Sequence, residues 1–230
     1  MLLLLKFLIG LASLPLLAAL THVFAGQFNP GHDLTRLDTT TSWFIGGFVI
    51  WLLLFFMFPH PVRTYVLAHE LTHALWGMLM GARVSKLRVS SKGGSVNLTK
   101  TNVWITLAPY FFPFYSILAL ALYALLDWRW DMTVYKPFWY AVFGMTWSFH
   151  LTFTVAMLGL RQPDVMEHGR LFSYALIYGI NIVTAMVLLN MLTGRPLKDL
   201  PPEVARRTQA TYQWTLDQLD SATGSLQSRW

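Results

Sequence analysis

Six long apolar runs limit what this chain can become. They cover residues 2–24, 42–58, 63–81, 103–126, 137–159 and 171–192. About 20 apolar residues span a bilayer. Hydrocarbon offers the backbone no hydrogen-bond partners, so a run that crosses it must satisfy its own amides as a helix. Each run begins or ends near Trp, Tyr, Lys or Arg, the residues that anchor helices at membrane interfaces. Only 12% of residues are charged and mean hydropathy is +0.47, whereas soluble domains carry about 25% charged residues. The predicted fold class is an all-α membrane protein of about six transmembrane helices in a lipid bilayer. No internal repeat divides it. Three regions follow: an N-terminal transmembrane anchor or signal peptide over 1–25, a multi-pass core over 26–195, and a polar tail over 196–230.

The first run has two readings. Val23-Phe24-Ala25 offers small or β-branched residues of the kind signal peptidase accepts. The apolar stretch is long, however, and its one early charge, Lys6, lies inside it, which favours an uncleaved anchor. The net charge of +6 comes from residues between apolar runs rather than from one basic face, so no nucleic-acid partner is expected. Arg83, Lys86, Arg88, Lys92 and Lys100 occupy one acid-free loop, which prefers the cytoplasm. Helix parity then puts the tail outside, against the preference of Arg195 and Lys198. The expected location is a bacterial-type cell membrane. There is no cysteine, so a transition metal would take His, Asp or Glu ligands.

Between the third and fourth runs lies ARVSKLRVSSKGGSVNLT. β-Branched residues flank Lys92-Gly93-Gly94, a pattern that predicts a short β-hairpin over 84–98; its alternative is a polar connecting loop. The tail beyond Pro201 reads as a short interfacial helix or as unordered chain.

The third run contains VLAHELTHALWGMLMG, with His69, Glu70 and His73. Residues four apart share a helix face, so both imidazoles can reach one metal ion. Glu70 follows His69 about 100° around the helix, close enough to handle a proton without ligating. Two imidazoles, a carboxylate and a water suit zinc with one open position. Zinc lowers the pKa of its water toward about 7, and Glu70 can take that proton and return it to a leaving amine. Ionisable groups buried in lipid are costly unless partnered or functional. Three within five residues disfavour simple interhelical packing.

A third ligand must come from elsewhere. His150, Asp164, Glu167 and His168 are the candidates near apolar runs. Pro163 leaves Asp164 in a first helical turn, where a carboxylate is favoured, although an ordinary capping aspartate fits there too. His150, inside TWSFHLTFTV, suits an alternative ligand, a donor to a developing oxyanion, or packing. Glu167 and His168 read as loop-surface residues.

His69-Glu70-Leu71-Thr72-His73 on an apolar helix resembles the site-2 protease family of intramembrane zinc metalloproteases. The Gly81-Ala82-Arg83-Val84 exit, the β-like stretch after it and Gln162-Pro163-Asp164 extend the likeness over roughly residues 64–175. The closest branch is small and lacks a PDZ domain. The resemblance implies zinc (Zn2+) held by His69, His73 and Asp164, with Glu70 as general base to a zinc-bound water. It implies hydrolysis of a peptide bond in or near a transmembrane segment of a membrane-protein substrate. The departures are Gln162 and Val165, where the family has asparagine and glycine, and Ala108-Pro109 without a nearby asparagine.

A hairpin beside the metal would supply an edge strand for an unwound substrate, because proteases commonly hold substrates by strand addition. Two other functions fit the residues less well. A non-proteolytic metal-binding scaffold of the same fold has no use for Glu70. A metal transporter would show a second, symmetric half.

Overall fold

The computed structural model describes residues 1–28 and 38–227. Its elements are α1 (Leu2–Gly26), α2 (Thr39–Met57), α3 (Val62–Leu79), β1 (Val84–Ser90), β2 (Gly93–Leu98) and α4 (Val103–Leu107). They continue with α5 (Phe114–Arg129), α6 (Lys136–Leu158), α7 (Pro163–Glu167), α8 (Arg170–Leu192) and α9 (Leu200–Gln227). The chain forms two compact units. One joins residues 1–36 with 169–230, and the other is residues 37–168.

In the first unit α1 packs on α8 and α9. Leu20 and Val23 of α1 meet Ile182 and Met186 of α8, and Leu200 and Val204 of α9 close over them. Gly10 permits a close approach: a Cβ there would fall 2.9 Å from the Phe172 amide nitrogen. Small residues allow this between apolar helices, which have no water to expel and gain by dense packing. A buried hydrogen bond from Gln27 Nε2 to Asn190 Oδ1, 2.7 Å, ties the far end of α1 to α8. The tail is ordered as the 28-residue α9, opening on Pro201 and Pro202, which are tolerated in a first turn.

In the second unit α2 and α6 are held at glycine contacts. A Cβ on Gly144 would overlap the Phe44 carbonyl, and one on Gly47 would overlap that of Ala141. Asp38 starts α2, its carboxylate accepting from the Thr41 amide at 2.7 Å. α3 packs by Tyr65 and Val66 on Phe149 and Phe153 of α6, with the Tyr65 and Phe153 rings stacked at 4.7 Å.

Four helical segments are long and apolar enough to cross a membrane: Leu2–Gly26, Thr39–Met57, Thr133–Leu158 and Arg170–Leu192. The expectation of six is therefore not met among the described residues. The run at 63–81 is helical, but Arg63, His69, Glu70 and His73 make α3 too polar to qualify. The run at 103–126 is broken: Val103–Tyr110 and Phe114–Arg129 meet at 82° and count as a fifth span only if taken together. Pro109 and Pro113 flank the break, since proline cannot continue the amide ladder. Several long apolar helices with exposed Leu, Ile and Phe are compatible with a multi-pass membrane protein.

The hairpin over 84–98 is present. β1 and β2 pair antiparallel, from Val84 opposite Leu98 to Ser90 opposite Gly93. The turn is Ser91-Lys92, one residue earlier than the glycines suggested. A bulge between Ser85 and Arg88 carries Lys86 at φ 53°. Leu98 seats against Gly77, where a Cβ would lie 3.0 Å from the leucine methyl, so the hairpin lies along α3.

Candidate metal centre

The helical register of α3 puts Tyr65, His69 and His73 in one row. His73 donates from Nδ1 to the Ile105 carbonyl at 2.8 Å. A carbonyl only accepts, so in the neutral imidazole the proton is on Nδ1 and the lone pair is on Nε2. That lone pair faces His69 Nε2 at 3.2 Å. On its other side His69 presents Nδ1 to the Tyr65 hydroxyl at 3.1 Å.

Asp164 completes the group. Gln162 precedes α7 and turns its side chain away, donating to the Met157 carbonyl at 3.2 Å. Pro163 opens the helix, so Asp164 falls in the first turn, as its sequence context suggested. Its Oδ2 lies 3.3 Å from His69 Nε2 and 3.6 Å from His73 Nε2. Burial works against ionisation of Asp164, but the hydrogen bonds and charge of His69 and His73 outweigh it and hold the carboxyl well below the usual carboxylate range.

These three atoms form a triangle with edges of 3.2, 3.3 and 3.6 Å. Zinc bonds of about 2.0–2.1 Å at tetrahedral angles would set ligand atoms about 3.3 Å apart. The triangle thus has the dimensions of one tetrahedral face. Its chemistry also fits. His73 Nε2 and Asp164 Oδ2 are both acceptors, and one proton on His69 Nε2 cannot serve both well; a cation serves all three. Among the described residues, His69, His73 and Asp164 are the group of His, Asp and Glu side chains placed to hold a metal ion.

Glu70 is buried and stays outside the triangle. It lines a cavity of about 980 Å³ together with His69, His73, Asp164 and the whole of β2. Gly94 of β2 passes directly over it: a Cβ on Gly94 would fall 2.7 Å from Glu70 Cγ. His150 is buried on α6 and is not brought into the group. It borders a smaller cavity with His69 and Thr72. Glu167 is exposed and lines the large cavity, whereas His168 is buried rather than on the loop surface where the sequence placed it.

Three partners of the site were not singled out from sequence: Tyr65, Tyr110 and the Ile105 carbonyl. Tyr65 was findable, because it stands four residues before His69 on the same helical face. Tyr110, whose hydroxyl donates to Asp164 Oδ2 at 3.1 Å, comes from a distant segment and left no local signal. No family model, no curated protein and no solved structure matches this chain.

Proposed function

We propose that the chain is an intramembrane zinc metalloendopeptidase, similar to the site-2 proteases, that hydrolyses a peptide bond in or near a transmembrane segment of another membrane protein. The observation that carries this reading is the triangle of His69 Nε2, His73 Nε2 and Asp164 Oδ2 with Glu70 beside it on the same helix. A bound zinc ion would supply Lewis acidity, activating water and polarising the scissile carbonyl. His69 and His73 would hold it through Nε2, oriented from behind by Tyr65 and Ile105. Glu70 accepts the proton of the attacking water and returns it to the departing amine. A structural site has no need of such a carboxylate.

β2 runs along the cavity, from Gly93 to Leu98. Its pairing with β1 leaves the opposite edge without a strand among the described residues. A substrate segment added there would be extended, with its amides exposed beside Glu70. Val62, Val66, Val96 and Ile105 line the same cavity and suit the aliphatic side chains of an unwound transmembrane helix.

The test is elemental analysis of detergent-purified protein beside Asp164→Ala, His150→Ala and Glu70→Gln. About one zinc per chain is expected in wild type, lost in Asp164→Ala and kept in the other two. Absence of zinc, iron, cobalt and manganese from wild type would reject the metal site. Cleavage by Glu70→Gln at the wild-type rate would reject the protease.

A further inference from the structure

The segment that breaks the fourth apolar run does more than bend the chain. It reaches the site twice. The Ile105 carbonyl accepts from His73 Nδ1 at 2.8 Å, and the Tyr110 hydroxyl donates to Asp164 Oδ2 at 3.1 Å. Between these residues the chain is α4 followed by a single 3-10 turn, Ala108–Tyr110, all of it buried from Ile105 on. Asn102 fixes its start by accepting from the Ile105 amide at 3.0 Å.

We propose that Tyr110 is the positioning residue of the metal centre: its phenol sets Asp164 as a one-oxygen ligand and so keeps a coordination position open. The proposal rests on the reading of His69, His73 and Asp164 as metal ligands. A carboxylate oxygen has two lone-pair directions, and a phenol has one proton to give. Tyr110 takes one direction of Oδ2. The other is left for the point where His69 Nε2 and His73 Nε2 converge. Two-oxygen ligation would require the carboxylate to turn, carrying Oδ2 away from Tyr110 and breaking that bond.

Two features make the phenol a firm reference point. Tyr110 has no exposed surface, and its ring stands edge-on to His69 at 5.3 Å and 85°. Asp164, by contrast, sits on a five-residue helix with its side chain a quarter exposed. The tyrosine is the fully buried partner and the carboxylate the partly exposed one. The same short segment therefore orients His73 from one side and Asp164 from the other.

The experiment compares purified full-length protein with Tyr110→Phe, which keeps the ring. Tyr123→Phe, whose ring packs on Trp139, is the control. Zinc affinity is measured by competition with a chromophoric chelator, and cobalt(II) is used as a visible probe of coordination number. Loss of an outer partner typically weakens a metal site about 10–100-fold. Tyr110→Phe should fall in that range. Its cobalt band should also lose intensity as the ion gains a second carboxylate oxygen, while Tyr123→Phe matches wild type. Wild-type affinity and an unchanged cobalt band in Tyr110→Phe would overturn the proposal while leaving the metal site standing. If wild type binds neither ion, the metal reading itself fails.

Discussion

Gly94 offers the sharpest single perturbation of the site. A methyl group there would lie 2.6 Å from Val66 Cγ1, 2.7 Å from Glu70 Cγ and 2.9 Å from the Arg88 carbonyl oxygen. Ordinary carbon contacts need about 3.5–4.0 Å, so roughly 1 Å must be found. The Arg88 oxygen belongs to the paired strand and cannot yield without opening the hairpin. The methyl must then push β2 off α3 or push Glu70 aside. A misplacement of about 1 Å in a reacting group can cost on the order of 100-fold in rate, and overpacking typically costs about 1–3 kcal/mol of stability. Gly94→Ala should therefore cleave a transmembrane test substrate about 10–100 times more slowly. Zinc content should be unchanged, because the atoms nearest the new methyl belong to Val66, Glu70 and Arg88 and not to a ligand. The assay is initial cleavage rate beside zinc content and the denaturation midpoint. Wild-type rate and wild-type stability together would refute the close packing of β2 on Glu70.

Proline at Val96 or at Leu98 should cut cleavage without releasing zinc, because it removes an amide from the strand that would receive substrate; unchanged cleavage rejects strand addition. Gly144→Ala should force α2 and α6 apart at the Phe44 carbonyl and cost about 1–3 kcal/mol, read as a lowered denaturation midpoint in detergent. Zinc at 100 times its dissociation constant should stabilise wild type by about 2.7 kcal/mol and leave Asp164→Ala unaffected, as measured by denaturation with and without a chelator. Asp38→Ala should cost ~1 kcal/mol through loss of the α2 cap. The hydrogen bonds from Thr41 lower the Asp38 pKa, so this cap contributes above the unfolded carboxyl pKa and is lost as pH falls through the folded one. The gap between wild type and variant should close on acidification.

Much of this architecture was legible because long apolar helices are specified locally. The runs at 2–24, 42–58, 137–159 and 171–192 each became one helix within a few residues of their expected limits. Composition alone dictates that outcome once lipid is the solvent. The hairpin was legible from β-branched residues flanking a turn, although its turn fell one residue early. Ser91 and Lys92 keep negative φ and Gly93 takes φ 135°, so the glycine closes the turn from its far side instead of sitting at its centre. The failures came where polarity and apolar length compete. Residues 63–81 looked like a span because leucines and methionines surround the motif, but α3 carries Glu70, Thr72 and His73 buried within the protein. His168 was misplaced because a polar residue in a short break between helices reads as exposed from sequence alone, yet it is buried. Tyr110 was invisible for a related reason, standing 54 residues from its carboxylate partner.

The broken span links these observations. A site that hydrolyses peptide bonds within an apolar layer needs rigid ligands and a path for water, and an unbroken helix serves neither well. Irregular backbone at membrane depth is tolerated where it is buried in protein or lines a polar cavity. The segment from Ile105 to Pro113 meets that condition. Its Ile105 carbonyl accepts from His73 Nδ1, and its Tyr110 hydroxyl donates to Asp164 Oδ2. Ile105 and Thr106 line the large cavity, while Pro109 and Phe112 line the smaller one next to His150. Pro109 has no N–H to give the Ile105 carbonyl, and His73 takes that carbonyl instead. On the proposed reading, the prolines would support the metal centre. Straightening the break with Pro109→Ala and Pro113→Ala together should loosen metal binding before it unfolds the helices. A double variant that melts early yet binds zinc like wild type would separate the break from the site.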